Sequence, residues 1–166
     1  MKILLLAGLL LVGACASAAP RHAKFNRLEL APYTETGSGE ISGRVWVPRE
    51  GFRSPDPVVA RNATVMIVPV TAYTSEWFER EIIGGEPLAA ADPRLALIST
   101  KVKTDSQGRF RVTGLPPGEY FITSRFTYTV ENVYDVQGAE DTIQAVAKAR
   151  VSLSSADRVV NIAVSR

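Results

Sequence analysis

The chain predicts an all-β sandwich of about seven antiparallel strands with one short inserted helix. Three observations carry that expectation. Apolar and polar residues alternate with period two in short runs along most of the chain. Runs of Gly, Pro, Asp and Ser separate those segments at the spacing of a sandwich. The clearest of them, Lys101 to Thr123, packs three strands and two turns into one stretch.

In that stretch Val102 and Thr104 alternate with Lys101 and Lys103, as in a strand with one wet face. Asp105-Ser106-Gln107-Gly108 supplies turn chemistry: the Asp side chain bonds the backbone two residues on, and Gly108 tolerates positive φ. Phe110 and Val112 then share a face between Arg109 and Arg111. Gly114-Leu115-Pro116-Pro117-Gly118 breaks the ladder, because neither proline has an N–H to donate. Glu119 to Thr123 resumes it with Tyr120 and Ile122 on one side. Phe110, Val112, Leu115, Tyr120 and Ile122 are the expected core nucleus.

In chain order, Met1-Lys2 and the apolar run Ile3–Val12 read as a signal peptide over 1–14, the run being too short to span a bilayer as a mature helix. Val12-Gly13-Ala14-Cys15 resembles the bacterial lipobox, which implies a lipid on Cys15 and membrane attachment; an ordinary cleavage site is the alternative. Lipidation implies an outer-membrane lipoprotein, since Ala16 is not the aspartate associated with inner-membrane retention. Ordinary cleavage leaves a soluble periplasmic or secreted protein. Residues 15–39 lack a sustained period and end in Thr36-Gly37-Ser38-Gly39, so they read as a tether. Within them Arg21, His22, Lys24 and Arg27 form a small basic cluster. The sandwich is expected over 40–166.

Glu40–Val47 is the first strand, with Ile41, Gly43, Val45 and Val47 inward and Trp46 outward. Prolines 48, 55 and 57 make the following stretch a loop. Ala63, Val65 and Ile67 face inward on the second strand, which Pro69 ends. Ser75 reads as an N-cap and Gly84-Gly85 as the close of a helix over about 75–83. Strands follow from Leu95 to Thr104, through the central stretch to about Val130, over Ala147–Leu153 and over Val160–Val164. Glu131–Asp141 and Ser154–Arg158 read as connections.

The run T-D-S-Q-G-R-F-R-V followed by L-P-P-G-E-Y, with Ile41-Ser42-Gly43-Arg44-Val45 and Ala63–Ile67 upstream, resembles the carboxypeptidase regulatory-like domain over about residues 40–125. That resemblance implies a prealbumin-like, carbohydrate-binding-like sandwich in which Gly43, Val45, Asp105, Gly108, Phe110, Leu115, Pro116, Pro117, Gly118 and Tyr120 are turn and core positions. The Pro69–Trp77 run is similar to one in small envelope proteins of that family, and no role follows from it.

The 166 residues carry a formal charge of +2, one cysteine and one histidine. The balance offers no electrostatic footprint for nucleic acid. One cysteine excludes an internal disulfide and a multi-cysteine zinc site. A Ser-His-Asp site needs a base, and His22 lies in the expected tether. Glu76, Glu79 and Glu81 are the carboxylates a hydrolase reading would use, against a solvated helix face as the plain one. Asp105, and the group Glu131, Asp135, Glu140 and Asp141, do not follow a calcium-loop pattern. The chain therefore reads as a non-enzymatic binding or structural module with neither cofactor nor metal. Trp46, Tyr73, Trp77 and Phe78 are its candidate contacts to a glycan or an envelope protein. In the competing reading the helix packs over the sheet and Trp46 and Trp77 bury each other.

Overall fold

The computed structural model describes residues 18–48, 56–131, 140–154 and 159–164. The expected signal peptide, Cys15 and most of the two late connections lie outside them. Among the described residues eight strands form two four-stranded sheets. The first holds β1 (Gly39–Val47), β2 (Val58–Val59), β5 (Arg109–Leu115) and β8 (Val159–Val164). In the second the order is β4 (Thr100–Lys103), β3 (Thr64–Pro69), β6 (Gly118–Glu131) and β7 (Glu140–Leu153). The all-β sandwich is as the alternation predicts, with one departure from antiparallel pairing: β8 runs parallel to β1.

The three strands of the central stretch are next to one another in sequence and do not pair. β5 pairs with β1, whereas β4 and β6 both pair with β3. Each turn is therefore a crossing between sheets. At the first, Asp105 Oδ1 accepts the N–H of Gln107 and of Arg109, both at 2.8 Å, and Gly108 sits at φ +74°. Buried Thr104 is satisfied by donating to the Ala60 carbonyl at 2.6 Å and accepting the Ala63 N–H at 2.9 Å. At the second, the Tyr120 hydroxyl donates to the Pro116 carbonyl at 2.6 Å, the backward reach of a tyrosine corner in other sandwiches. Phe110, Val112, Leu115, Tyr120 and Ile122 all lie in the core between the sheets, with Ile41, Val45, Val65 and Ile67.

A second apolar cluster covers the outer face of the second sheet. Helix α2 (Ala72–Trp77) continues into a π-helical turn, Phe78–Ile83. Trp77, Phe78 and Ile82 pack on Val68, Phe121 and Leu88, and the Phe78 and Phe121 rings stack with centroids 4.0 Å apart. The helix begins earlier than Ser75 because Thr71 and Thr74 cap each other reciprocally. Thr71 Oγ1 accepts the Thr74 N–H at 3.2 Å, and Thr74 Oγ1 accepts the Thr71 N–H at 2.9 Å. Gly84-Gly85 does follow its end.

The expected tether is corrected over residues 18–39, which lie on the domain as a strap. Ala19 exchanges backbone hydrogen bonds with Pro87 and Ala89. Arg21 sits over the Tyr73 ring at 5.1 Å and donates to the Ala89 carbonyl, and the Phe25 ring meets Tyr73 edge-on. A short helix α1 (Arg27–Leu30) buries Leu30, its Glu29 accepts the Ala72 N–H at 2.9 Å, and Tyr33 packs edge-on against Tyr120. The sequence conceals this because the strap has no period: it is held residue by residue, and no face repeats.

Candidate functional site

The register of the second sheet builds the site. On its outer face Lys101, Met66, Thr123 and Lys148 line up across four strands, and Lys103, Thr64, Arg125 and Val146 form the next row. Beyond them the β6–β7 ribbon outruns β3, adding Thr127 opposite Gln144. The helix and its π turn cover the other end of this face, so these rows lie open along the lower edge of the turn.

Two hollows result. The larger, about 600 Å³, lies between Glu81, Ile82, Ile83, Gly85 and Pro87 on one side and Arg125–Thr127 and Gln144–Val146 on the other. The smaller, about 250 Å³, is lined by Thr64, Met66, Lys101 and Thr123 beneath Trp77 and Ile82. Glu81 and Arg125 line both, joined by an ion pair at 3.0 Å. The hollows are thus two parts of one groove, with an ion pair across its waist. Its size falls in the range of small-molecule sites, and apolar walls with a few polar groups are their usual lining.

The groove is not where the sequence placed the site. Tyr73, Trp77 and Phe78 are 5%, 8% and 6% exposed; Trp77 and Phe78 belong to the cover on the sheet and Tyr73 lies against Arg21 and Phe25 of the strap, so the expectation of exposed rings fails for all three. Trp46 is half-buried on β1, in the first sheet, while Trp77 packs on the outer face of the second. The two tryptophans therefore do not bury each other. Of the four candidates only Trp77 borders the groove. Gly43 pairs with Phe110, Val45 is fully buried, and Gly118 opens β6.

The three helix carboxylates do not share a site. Glu76 accepts the N–H groups of His22 at 2.8 Å and Ala23 at 2.8 Å, and pairs with Arg80 at 2.6 Å. Those two backbone donors, and then Arg80, hold its carboxyl down to about 2. Glu86 is lowered in turn by its hydrogen bond from Arg80. Glu81 faces Arg125, and Glu79 is exposed. Neither the hydrolase reading nor a wholly solvated helix face describes this arrangement: Glu76 is a clasp for the strap. Among the described residues no cluster of three metal-ligating side chains occurs.

Arg125, Thr127 and Gln144 are not among the residues that the sequence singled out. One signal was present. Phe121 and Arg125 share the outward phase of β6, and a large aromatic followed by a cation on one face marks the border between covered and open sheet.

No protein-family model matches the sequence, and no curated protein does. Among solved structures the chain is similar to a candidate carbohydrate-binding protein of Pseudomonas aeruginosa, with 22% identity and a TM-score of 0.70 over 87% of this chain and 99% of that one. The likeness shows the fold. The major pilin subunit of Bacillus cereus is similar at 12% identity and a TM-score of 0.43, over 76% of this chain and 29% of that one.

Proposed function

We propose that this protein is a non-catalytic binding module of the bacterial cell envelope and that its ligand is a carbohydrate held in the groove. The observation that carries the reading is the lining. Arg125, Glu81, Thr127 and Gln144 present fixed donors and acceptors beside Ile82, Ile83, Phe126 and Val146, and a sugar likewise offers hydroxyls at its rim and C–H groups on its faces. Guanidinium, carboxylate and amide each engage two neighbouring hydroxyls at once. The P. aeruginosa structure, described as a candidate carbohydrate-binding protein, supports the same ligand class. So does the resemblance of residues 40–125 to the carboxypeptidase regulatory-like domain.

The module is attached to the outer membrane through a lipid on Cys15, the reading that the apolar run Ile3–Val12 and the lipobox-like Val12–Cys15 support. Labelling cells with a fatty-acid probe tests the attachment: the protein takes the label, and Cys15→Ser loses both the label and the membrane fraction. A Cys15→Ser protein that remains labelled refutes it.

The ligand is tested by glycan-array binding followed by calorimetry. Ile83, 52% exposed at the rim of the larger hollow, is changed to Asp without disturbing the core. Binding that disappears in Ile83→Asp supports the groove. An array without hits, or hits indifferent to that change, overturns the reading.

A further inference from the structure

We infer that the ligand of this groove is an anionic glycan, with its charged sugar seated in the smaller hollow against Lys101; the inference rests on the carbohydrate reading above. The charges of the two rows are unequal. Among the described residues Glu81 is the only carboxylate lining either hollow, and it is already engaged by Arg125. Lys101 lines the smaller hollow, is exposed, and has no carboxylate partner among the described residues. Lys103 lies two residues along the same face, and among the described residues its Nζ donates to the Asn62 carbonyl at 3.3 Å. Lys148 stands at the far end of the Lys101 row, likewise without an ion-pair partner among the described residues.

The open end of the sheet face is consequently a cationic field. Three cations without a carboxylate partner among the described residues, Lys101, Lys103 and Lys148, stand with the Glu81-paired Arg125 within two adjacent rows of strands spaced about 4.8 Å apart. Like charges so placed raise one another's energy, and a bound anion relieves this. The smaller hollow has what an anionic sugar needs. Lys101 meets the acid group, Thr64 and Thr123 meet hydroxyls, and Trp77, Met66 and Ile82 form the apolar lining. The larger hollow has Arg125, paired with Glu81, and otherwise the uncharged Thr127 and Gln144 as its polar groups, so it suits a neutral sugar. The two parts together describe a chain of at least two sugars in which the unit beside Lys101 is acidic.

The experiment is calorimetry of the full chain against oligosaccharides that carry a uronate, a sulfate ester or a phosphate, each beside its uncharged counterpart. At low salt the best anionic ligand binds about tenfold tighter than its counterpart, the effect of one charge-assisted hydrogen bond, and the advantage shrinks as salt is raised. Lys101→Ala removes this preference, while Lys101→Arg keeps it. Which of the three acids shows the preference names the anion. Neutral and anionic ligands that bind equally, or a preference untouched by Lys101→Ala, overturn the inference and leave the carbohydrate reading standing. No binding by any of the oligosaccharides overturns both.

Discussion

Glu76 of helix α2 holds the backbone N–H of Ala23 at 2.8 Å, and the N–H of His22 at the same distance, so one carboxylate fastens the N-terminal strap to the helix. The bond is charge-assisted and the side chain is only 10% exposed. It makes the strap's attachment dependent on pH. In the folded chain the Glu76 carboxyl titrates at about 2 instead of 4.5. As pH falls, the unfolded chain therefore takes up this proton first. The clasp's contribution is complete above about 4.5 and is lost as pH drops toward 2. Thermal unfolding followed over that interval shows a falling midpoint, with Asp92, also held near 2, contributing to the slope. Glu76→Gln flattens the slope and speeds amide exchange at residues 22 and 23. An unchanged slope in Glu76→Gln would show that the clasp does not form.

Leu30 is the buried apolar anchor of the strap's helix. Leu30 is 4% exposed and Leu28 is 83% exposed on the same short helix. Leu30→Ala is expected to cost about 2–3 kcal/mol in denaturant titrations, against less than about 0.5 kcal/mol for Leu28→Ala. Equal effects would mean that the strap is a tether after all.

Gly108 and Gly85 share a left-handed backbone but not their surroundings. A methyl group on Gly108 would lie 2.6 Å from Val59 Cγ1 and 2.7 Å from the Val45 carbonyl oxygen, whereas one on Gly85 would meet nothing within 4 Å. Gly85→Ala therefore costs about 1 kcal/mol for its φ alone. Gly108→Ala costs more, about 2–4 kcal/mol, since the crossing between sheets must also shift. Urea midpoints of the two variants, in that order, check the assignment of Gly108 to a crossing.

Trp46→Phe leaves Trp77 as the sole tryptophan of two. Its fluorescence should resist quenching by acrylamide in the native state and lose that protection on unfolding, as an 8% exposed ring requires. Ready quenching in the native state would return Trp77 to the surface role that its sequence suggested.

The central stretch shows how much was legible. Alternation placed Phe110, Val112, Tyr120 and Ile122 in the core, and Asp105 and Gly108 in a turn, because side-chain phase and turn chemistry are local properties of the chain. The helix was legible as an element but not in its start, since Thr71 and Thr74 cap each other as effectively as Ser75 caps on paper.

By itself, then, the sequence determined most of the strands, their inward faces, the turn residues and the shortage of histidine and cysteine that argues against the commonest catalytic sites; it missed the pair Val58–Val59 within the expected loop, and the 3₁₀ turn Pro93–Leu97 where a strand was expected from Leu95. Only the tertiary structure decided which strands pair. The five-residue turn from Thr104 to Gly108 serves a hairpin or a crossing equally well, and β5 found β1 while its neighbours found β3. That choice set the register that brings Lys101, Arg125 and Gln144 to one open face, and it set the helix over Phe121 so that the aromatic candidates Trp77 and Phe78 became core. Residues far apart in the chain are joined there by cross-strand position, which depends on long-range pairing and leaves no mark on the local pattern.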